Sequence, residues 1–206
     1  MNLPNSLTIL RIFFIPVLVV VLLTRAPNIE FLGVTINFAA WGVLILLAAA
    51  ATDWADGYYA RRRSEVTTLG ILLDPIADKL LMSAAFICLV PLGAVPAWVA
   101  TIVVARDFLI TGLRLLASSE GAILPAEKLG KHKTSWQIVT VVFFLLLLSA
   151  RELRPGMEEA GWWQIAWRYG GNVLLWITIG LTIYSGLGYL WRHRALVWDP
   201  SQRDAL

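Results

Sequence analysis

The sequence is poor in charged side chains. Of its 206 residues, 15% are Asp, Glu, Lys or Arg and 58% are hydrophobic, and the mean hydropathy is +0.71. A soluble domain carries about 25% charged residues, so this composition argues against an ordinary soluble fold. The net charge is only +3, and Lys and Arg fall in short stretches. Nucleic acid is therefore not an expected partner, whereas an anionic lipid surface is.

Cysteine and histidine are almost absent. The single cysteine, Cys88, lies in an apolar segment and has no second cysteine with which to form an intrachain disulfide, so we predict a buried packing residue. The two histidines, His132 and His193, give little support to a zinc site. The N-terminus has neither a basic region nor a small-residue cleavage site, so no removable targeting peptide is expected.

Long apolar stretches make up most of the chain. A helix needs about 20 apolar residues to cross a hydrocarbon core of about 30 Å. These stretches lack the alternating pattern of barrel strands, so we expect helices. The predicted fold is an all-α integral membrane protein, one domain over residues 1–206, with six transmembrane helices. The predicted spans are 7–24, 38–59, 71–92, 97–117, 135–150 and 173–191.

Basic residues between the spans predict the orientation. Those at 61–63, 128–133 and 192–203 fall on one side of a six-span chain. Positive residues in short loops stay in the cytoplasm, so this side and both termini are predicted to be cytoplasmic. The opposite side holds segment 151–172, a candidate interfacial helix with Trp162, Trp163 and Trp167. The lack of transit-peptide features favours a bacterial plasma membrane.

Acidic residues interrupt the second and third predicted spans. An ionised Asp at the bilayer centre costs about 2.5 to 3.5 kcal/mol, so such residues are candidates for a functional site. Each pair is three or four residues apart and therefore shares a helix face. Antiparallel neighbouring helices would bring both pairs to one depth. The four residues are Asp53, Asp56, Asp74 and Asp78.

These carboxylates suit one or two divalent cations. Hard oxygen ligands favour Mg²⁺ or Mn²⁺, and two ions about 3.5 to 4 Å apart would serve a phosphoryl-type displacement. The alternative is that the acids pair with Lys79, Arg61 or Arg106, or line an ion path.

The residues between the two acidic pairs fit a phosphate-bearing ligand. Gly57, Ala60 and Gly70 leave room for a nucleotide near the backbone, although helix packing alone also explains small residues. Arg61 can reach a diphosphate with its planar guanidinium. Thr67 either offers a hydroxyl to the ligand or is a solvated loop residue.

This region resembles the signature of the CDP-alcohol phosphotransferase family, D-x2-D-G-x2-A-R-x8-G-x3-D-x3-D. The resemblance implies a six-helix fold, a homodimer, and a site for two metal ions near the cytoplasmic face. It further implies that Asp53, Asp56 and Asp74 are metal ligands, and that Asp78 is both a ligand and the proton acceptor. The residues that would bind CDP-diacylglycerol are Asn5, Thr8, Gly57, Ala60, Arg61, Thr67 and Gly70.

Three flanking stretches narrow the resemblance to the phosphatidylglycerophosphate synthase branch of that family. They are NLPNSLTILR at 2–11, DPIADK at 74–79, and the block 105–137 with ARDFLITGLR and GKHKT. In that branch, a hydroxyl of sn-glycerol 3-phosphate attacks the lipid-side phosphorus of CDP-diacylglycerol, and CMP leaves. Asn5 and Thr8 match the first stretch, although a helix cap would explain them equally well.

Basic residues in block 105–137 agree with an anionic acceptor. The candidates for the acceptor phosphate are Arg106, Arg114, Lys131 and Lys133. The alternative is that Arg106 pairs locally with Asp107 and that the lysines only set the topology. For Arg11, deep in the first predicted span, a functional role and a purely structural role are equally compatible with the sequence.

Two other kinds of function remain as alternatives. Sister enzymes that make cardiolipin, phosphatidylinositol phosphate or phosphatidylserine share the signature and differ on the acceptor side. A small transporter with acidic intramembrane residues belongs to another class and would release no CMP. That interpretation leaves Gly57, Ala60 and Arg61 unexplained.

Overall fold

The computed structural model describes residues 3–25, 27–31, 34–63, 68–119, 128–154, 156 and 159–192. Fewer of these have described side chains; those of 3–9, 53–63, 68–75, 78 and 128–132 are among the ones left out. Within the described part the chain is mainly helical. In chain order the elements are α1 (Leu3–Leu23), β1 (Ile29–Phe31), β2 (Val34–Ile36), α2 (Phe38–Arg63), α3 (Thr68–Leu89), α4 (Ala97–Ser119), α5 (Lys128–Leu153), α6 (Gly161–Ile165), a π-helical turn (Ala166–Gly170) and α7 (Gly171–Arg192).

Each of the six predicted spans coincides with a long helix, namely α1 to α5 and α7. Helix α3 stops at Leu89, three residues before the predicted end of its span, although the apolar run continues. A turn follows in which Gly93 has a φ of 71°, a left-handed conformation that favours glycine. Hydropathy alone does not detect such a turn, because its residues are as apolar as the helix.

A short antiparallel hairpin departs from the predicted all-α fold. Strand β1 pairs with β2, with Ile29 opposite Ile36. Most of these residues are β-branched or aromatic, which favours extended backbone. The hairpin occupies the connection between α1 and α2 and leaves the long helices as predicted.

The predicted interfacial helix is part of a longer one. Helix α6 continues through the π-helical turn into α7. Trp163 is buried and stacks on Trp167 with 5.0 Å between the ring centroids, while Trp162 is exposed. Segment 161–170 is therefore helical, but it is continuous with the last long helix.

Two described helical stretches, Lys133–Leu153 and Gly161–Arg192, are long and apolar enough to cross a membrane. Shorter apolar helical stretches occur at Leu10–Leu23, Phe38–Thr52 and Lys79–Leu89 within the described residues. Large apolar side chains such as Phe13, Leu146 and Leu187 are more than half exposed. An outer surface of this kind suits lipid better than water. These features are those of a helical membrane protein.

Apolar side chains from all the long helices form one core. Leu18, Phe86, Val99, Leu145 and Ile179 are among its members. Helix α1 packs on α2 and α3, α5 packs on α2, α3 and α7, and α4 packs on α3 and α7. Cys88 is buried in this core, as predicted.

Asn37 fixes the position of α2 along α5. Its side-chain oxygen accepts a hydrogen bond from the Ala40 backbone N–H at 2.9 Å, which caps the start of α2. Its side-chain amide donates to the backbone oxygen of Ser149 at 2.8 Å, near the end of α5. The start of α2 and the end of α5 therefore lie at the same end of the bundle. Because the two helices pack together, the end of α2 and the start of α5 lie at the other.

We predict that Asn37→Ala lowers the free energy of unfolding by about 1 to 3 kcal/mol, since it removes a helix cap and a buried side-chain hydrogen bond to Ser149. Thermal unfolding in detergent measures the effect. The control is Asn172→Ala, because Asn172 is exposed. Equal stability of the two variants would contradict the role given to Asn37.

Candidate functional site

The four predicted metal ligands lie on two long helices. Asp53 and Asp56 are on α2, and Asp74 and Asp78 are on α3. Both segments are continuous helix, so each pair has the spacing that puts its members on one helix face. Among the described side chains no group of three or more His, Cys, Asp or Glu is close enough to hold a metal. The four Asp side chains are not among those described, so the metal site stays a prediction.

The predicted CDP-lipid residues are spread over three helices. Asn5 and Thr8 are on α1, Gly57, Ala60 and Arg61 are on α2, and Gly70 is on α3. Thr67 lies outside the described residues. Lys131, one of the predicted acceptor residues, is on α5, and its side chain is likewise not described. Arg11 is buried on α1, with 1% of its surface exposed.

Polar side chains from three helices meet inside the bundle. We call this group the polar cluster: Arg106 and Asp107 of α4, Lys133 and Gln137 of α5, and Ser185 of α7. Asp107 is its centre. The Lys133 ammonium and one Arg106 Nη both donate to Asp107 Oδ1, the latter at 3.2 Å, and the Gln137 amide donates to Oδ2 at 3.4 Å.

Lys133 and Asp107 form an enclosed ion pair, with side chains only 1% and 3% exposed. An unpaired charge would be costly at such a position, so the two residues require each other. The alternative that Arg106 pairs locally with Asp107 agrees with the structure. Its second part, that the lysines only set the topology, does not hold for Lys133, which pairs with the same carboxylate. In this arrangement Lys133 neutralises Asp107 and does not face an open site.

Arg106 is the more open cation of the cluster, with 16% of its side chain exposed. One Nη donates to Asp107, and the other donates to Ser185 Oγ at 2.9 Å. Its Nε–H is buried without an acceptor among the described residues. The two cations and one carboxylate leave one net positive charge, which can attract an anion.

Helix geometry places the cluster at the depth of the first acidic pair. Asp53 follows Asn37 by sixteen residues, and Lys133 precedes Ser149 by sixteen residues. At about 1.5 Å per residue, both lie about 24 Å from the Asn37–Ser149 contact. Lys79, the neighbour of Asp78 in the sequence, is close enough for its charge to act on the Lys133 ammonium. The cluster and the acidic turns of α2 and α3 therefore belong to the same end of the bundle.

Arg114 stands apart from the polar cluster. It is exposed on α4, eight residues after Arg106 and hence about 12 Å further along the helix. Of the predicted acceptor residues with described side chains, the structure thus brings together Arg106 and Lys133. Arg114 lies closer to the end of α4.

Sequence reasoning had missed Asp107 as an organising residue, and it had missed Gln137 and Ser185 altogether. Asp107 carried the same signal as the four other acids, a carboxylate inside an apolar stretch. Gln137 and Ser185 carried no comparable signal, since isolated polar residues are common in membrane helices. Only the packing of α4, α5 and α7 shows that they share partners.

Comparison with known proteins identifies the family. A family model described as CDP-alcohol phosphatidyltransferase matches residues 1–184. The chain belongs to the CDP-alcohol phosphatidyltransferase family. The matched region contains the acidic turns of α2 and α3 and four of the five residues of the polar cluster. Ser185 lies just beyond it.

Similar family members come from several bacteria. A Bacillus subtilis protein named CDP-diacylglycerol--glycerol-3-phosphate 3-phosphatidyltransferase is 36% identical over 201 residues, covering 96% of each chain. A Rickettsia bellii protein of that name is 34% identical over 91% of this chain and 93% of its own. One from Pseudomonas fluorescens is 32% identical over 94% of this chain and 92% of its own. The likeness therefore extends over nearly the whole of each protein.

We predict that Asp107→Leu lowers the free energy of unfolding by about 3 to 5 kcal/mol, because it leaves the Lys133 ammonium buried without its carboxylate. Lys133→Met should cost less, because Arg106 and Gln137 still donate to Asp107. The double variant should lose clearly less free energy of unfolding than the sum of the two single losses. Unfolding of all four proteins in detergent gives the coupling energy.

The control for this cycle is Lys133→Met combined with Glu152→Gln. Glu152 is exposed near the far end of α5, so these two effects should add. Additive losses for Lys133 and Asp107 as well would contradict the ion pair.

Proposed function

We propose that this chain transfers the phosphatidyl group of CDP-diacylglycerol to sn-glycerol 3-phosphate, forming phosphatidylglycerol phosphate and releasing CMP. The observation that carries the proposal is the full-length likeness to relatives named for this reaction, 36% identical in the first of them. The family signature on α2 and α3 supports the reaction class. The net positive charge of the polar cluster supports an acceptor that carries a phosphate.

In the proposed reaction, an acceptor hydroxyl attacks the lipid-side phosphorus. A new P–O bond forms, the P–O bond to CMP breaks, and the hydroxyl proton passes to Asp78. An alcohol is a poor nucleophile at neutral pH, so a carboxylate within reach lowers the barrier. Arg61, one turn after Gly57 on α2, would hold the diphosphate with its planar guanidinium.

The four aspartates fit a pair of divalent cations. They offer only hard oxygen donors, and each helix supplies two of them on one face. Asp53, Asp56, Asp74 and Asp78 would hold Mg²⁺ or Mn²⁺, whose charge offsets the negative charge of the diphosphate. Asp78 then has two proposed roles, as a ligand and as the proton acceptor.

The proposed topology has six membrane-crossing helices, α1 to α5 and α7, with both termini in the cytoplasm. Each of these helices has 21 to 26 residues, enough for a core of about 30 Å. The acidic turns and the polar cluster would then lie towards the cytoplasmic face of the plasma membrane, where a water-soluble acceptor is available. We also infer a homodimer and close contact with membrane lipids.

The purified protein should release CMP from CDP-diacylglycerol in detergent when Mg²⁺ or Mn²⁺ and sn-glycerol 3-phosphate are present. Parallel reactions contain phosphatidylglycerol, inositol phosphate or serine in place of glycerol phosphate, and a chelator tests the metal requirement. Release with a different acceptor would retain the reaction class and reject the acceptor. If the folded protein releases no CMP with any of the four acceptors, the transporter alternative is favoured.

Asp78→Asn should slow CMP release by about 10²- to 10⁴-fold, because the amide cannot accept the proton. Binding of CDP-diacylglycerol should be largely retained. Single-turnover CMP release and equilibrium binding of the CDP-lipid measure the two effects separately.

Glu159→Gln serves as the matched control, because Glu159 is exposed in the segment before α6. Its turnover should equal that of the unmodified protein. Substantial residual turnover in Asp78→Asn would remove Asp78 from the proton-accepting role.

A further inference from the structure

The side chain of Arg106 passes directly against α7. A Cβ added to Gly186 would lie 3.0 Å from Arg106 Cγ and 3.6 Å from its Nε. The first of these distances is shorter than an ordinary carbon–carbon contact of about 3.5 to 4.0 Å. Gly186 therefore leaves the space through which Arg106 extends. The preceding residue, Ser185, accepts a hydrogen bond from the Arg106 guanidinium at 2.9 Å.

Two helices thus hold the two ends of one guanidinium. Asp107 accepts from one Nη, and Ser185 accepts from the other. A guanidinium fixed at both Nη atoms cannot rotate freely, and its planar donors keep one direction. Precise direction matters for binding phosphate, because an Arg–phosphate pair gains strength from aligned parallel hydrogen bonds.

A further donor of the same guanidinium is the Arg106 Nε–H. It is buried without an acceptor among the described residues, and it lies beside Gly186 of α7. A buried donor without a partner is costly, so an anion that reaches this position gains a hydrogen bond that the protein does not supply. Lys133 is enclosed with Asp107, which leaves Arg106 as the cation of the cluster able to meet a ligand.

We propose that Ser185 and Gly186 of α7, together with Asp107 of α4, are positioning residues that set the affinity of the enzyme for the phosphate of its acceptor. They act by holding the Arg106 guanidinium in one orientation beside the acidic turns. This inference rests on the proposed function and extends it to the last helix. Both α7 residues lie beyond the region that the family model matches, which ends at residue 184.

The test compares four variants: Ser185→Ala, Ser185→Thr, Gly186→Ala and Gly188→Ala. The last is a matched control, because a Cβ at Gly188 meets no atom of the described residues within 4 Å. For each, CMP release gives kcat and the KM values for sn-glycerol 3-phosphate and for CDP-diacylglycerol. Thermal unfolding in detergent reports whether the variant is folded.

Ser185→Ala and Gly186→Ala should raise the KM for glycerol 3-phosphate by about tenfold, the effect of weakening one hydrogen bond to a charged group. Their KM for CDP-diacylglycerol should be unchanged. Ser185→Thr keeps the hydroxyl and should restore most of the acceptor affinity. Gly188→Ala should match the unmodified protein in every value.

Two results would overturn the positioning role. One is an acceptor KM in Ser185→Ala and Gly186→Ala equal to that of Gly188→Ala. The other is an equal rise in both KM values, which would indicate general damage to the fold.

The unmodified protein tests the proposed function separately. If it uses another phosphorylated acceptor, the same comparison of variants is made with that acceptor, and the positioning role can hold although the acceptor assignment fails. If it uses only an acceptor without phosphate, both proposals are wrong.

Discussion

A carboxylate inside an apolar helical bundle must be paired, and much of the described structure around α4, α5 and α7 follows from that constraint. Asp107 is 3% exposed and accepts from Lys133, Arg106 and Gln137. These donors come from two helices, and Arg106 also donates a hydrogen bond to Ser185 of a third helix. The pairing therefore joins three helices at one level, in the end of the bundle that carries the acidic turns.

A second polar contact fixes the same helices in register. The hydroxyls of Thr140 on α5 and Thr178 on α7 lie 2.8 Å apart. From that level, Lys133 is seven residues towards the start of α5, and Ser185 is seven residues towards the end of α7. Because the helices are antiparallel, both residues reach the polar cluster about 10 Å away. A one-residue shift of α7 would rotate Ser185 by about 100° away from Arg106.

Hydropathy was sufficient to predict the long helices, because a span of apolar residues has few other stable structures in lipid. It did not predict the end of α3 at Leu89, where a turn is as apolar as the helix, nor the hairpin at Ile29–Phe31. Hydropathy assigned the acidic pairs to the second and third helices, and their spacing put each pair on one helix face. The pairing of Arg106 with Asp107 was among the sequence-based alternatives, but its bond to Ser185 was not, since a single sequence does not state which faces of α4 and α7 meet.

The proposed site has two parts: one serves the reaction that related enzymes share, and the other serves the acceptor, which differs among them. Under the proposed function, proteins that share one reaction on CDP-lipids need the same acids and diphosphate contacts, and the four predicted acids and Arg61 fall within a stretch of 26 residues, 53–78. Their acceptors differ, so the residues that distinguish acceptors must lie elsewhere. In this chain the candidates are on α4, α5 and α7, held together by polar contacts that no contiguous motif can contain. Under the proposed function, choice of acceptor would depend on how three helices pack, because packing decides where the Arg106 guanidinium points.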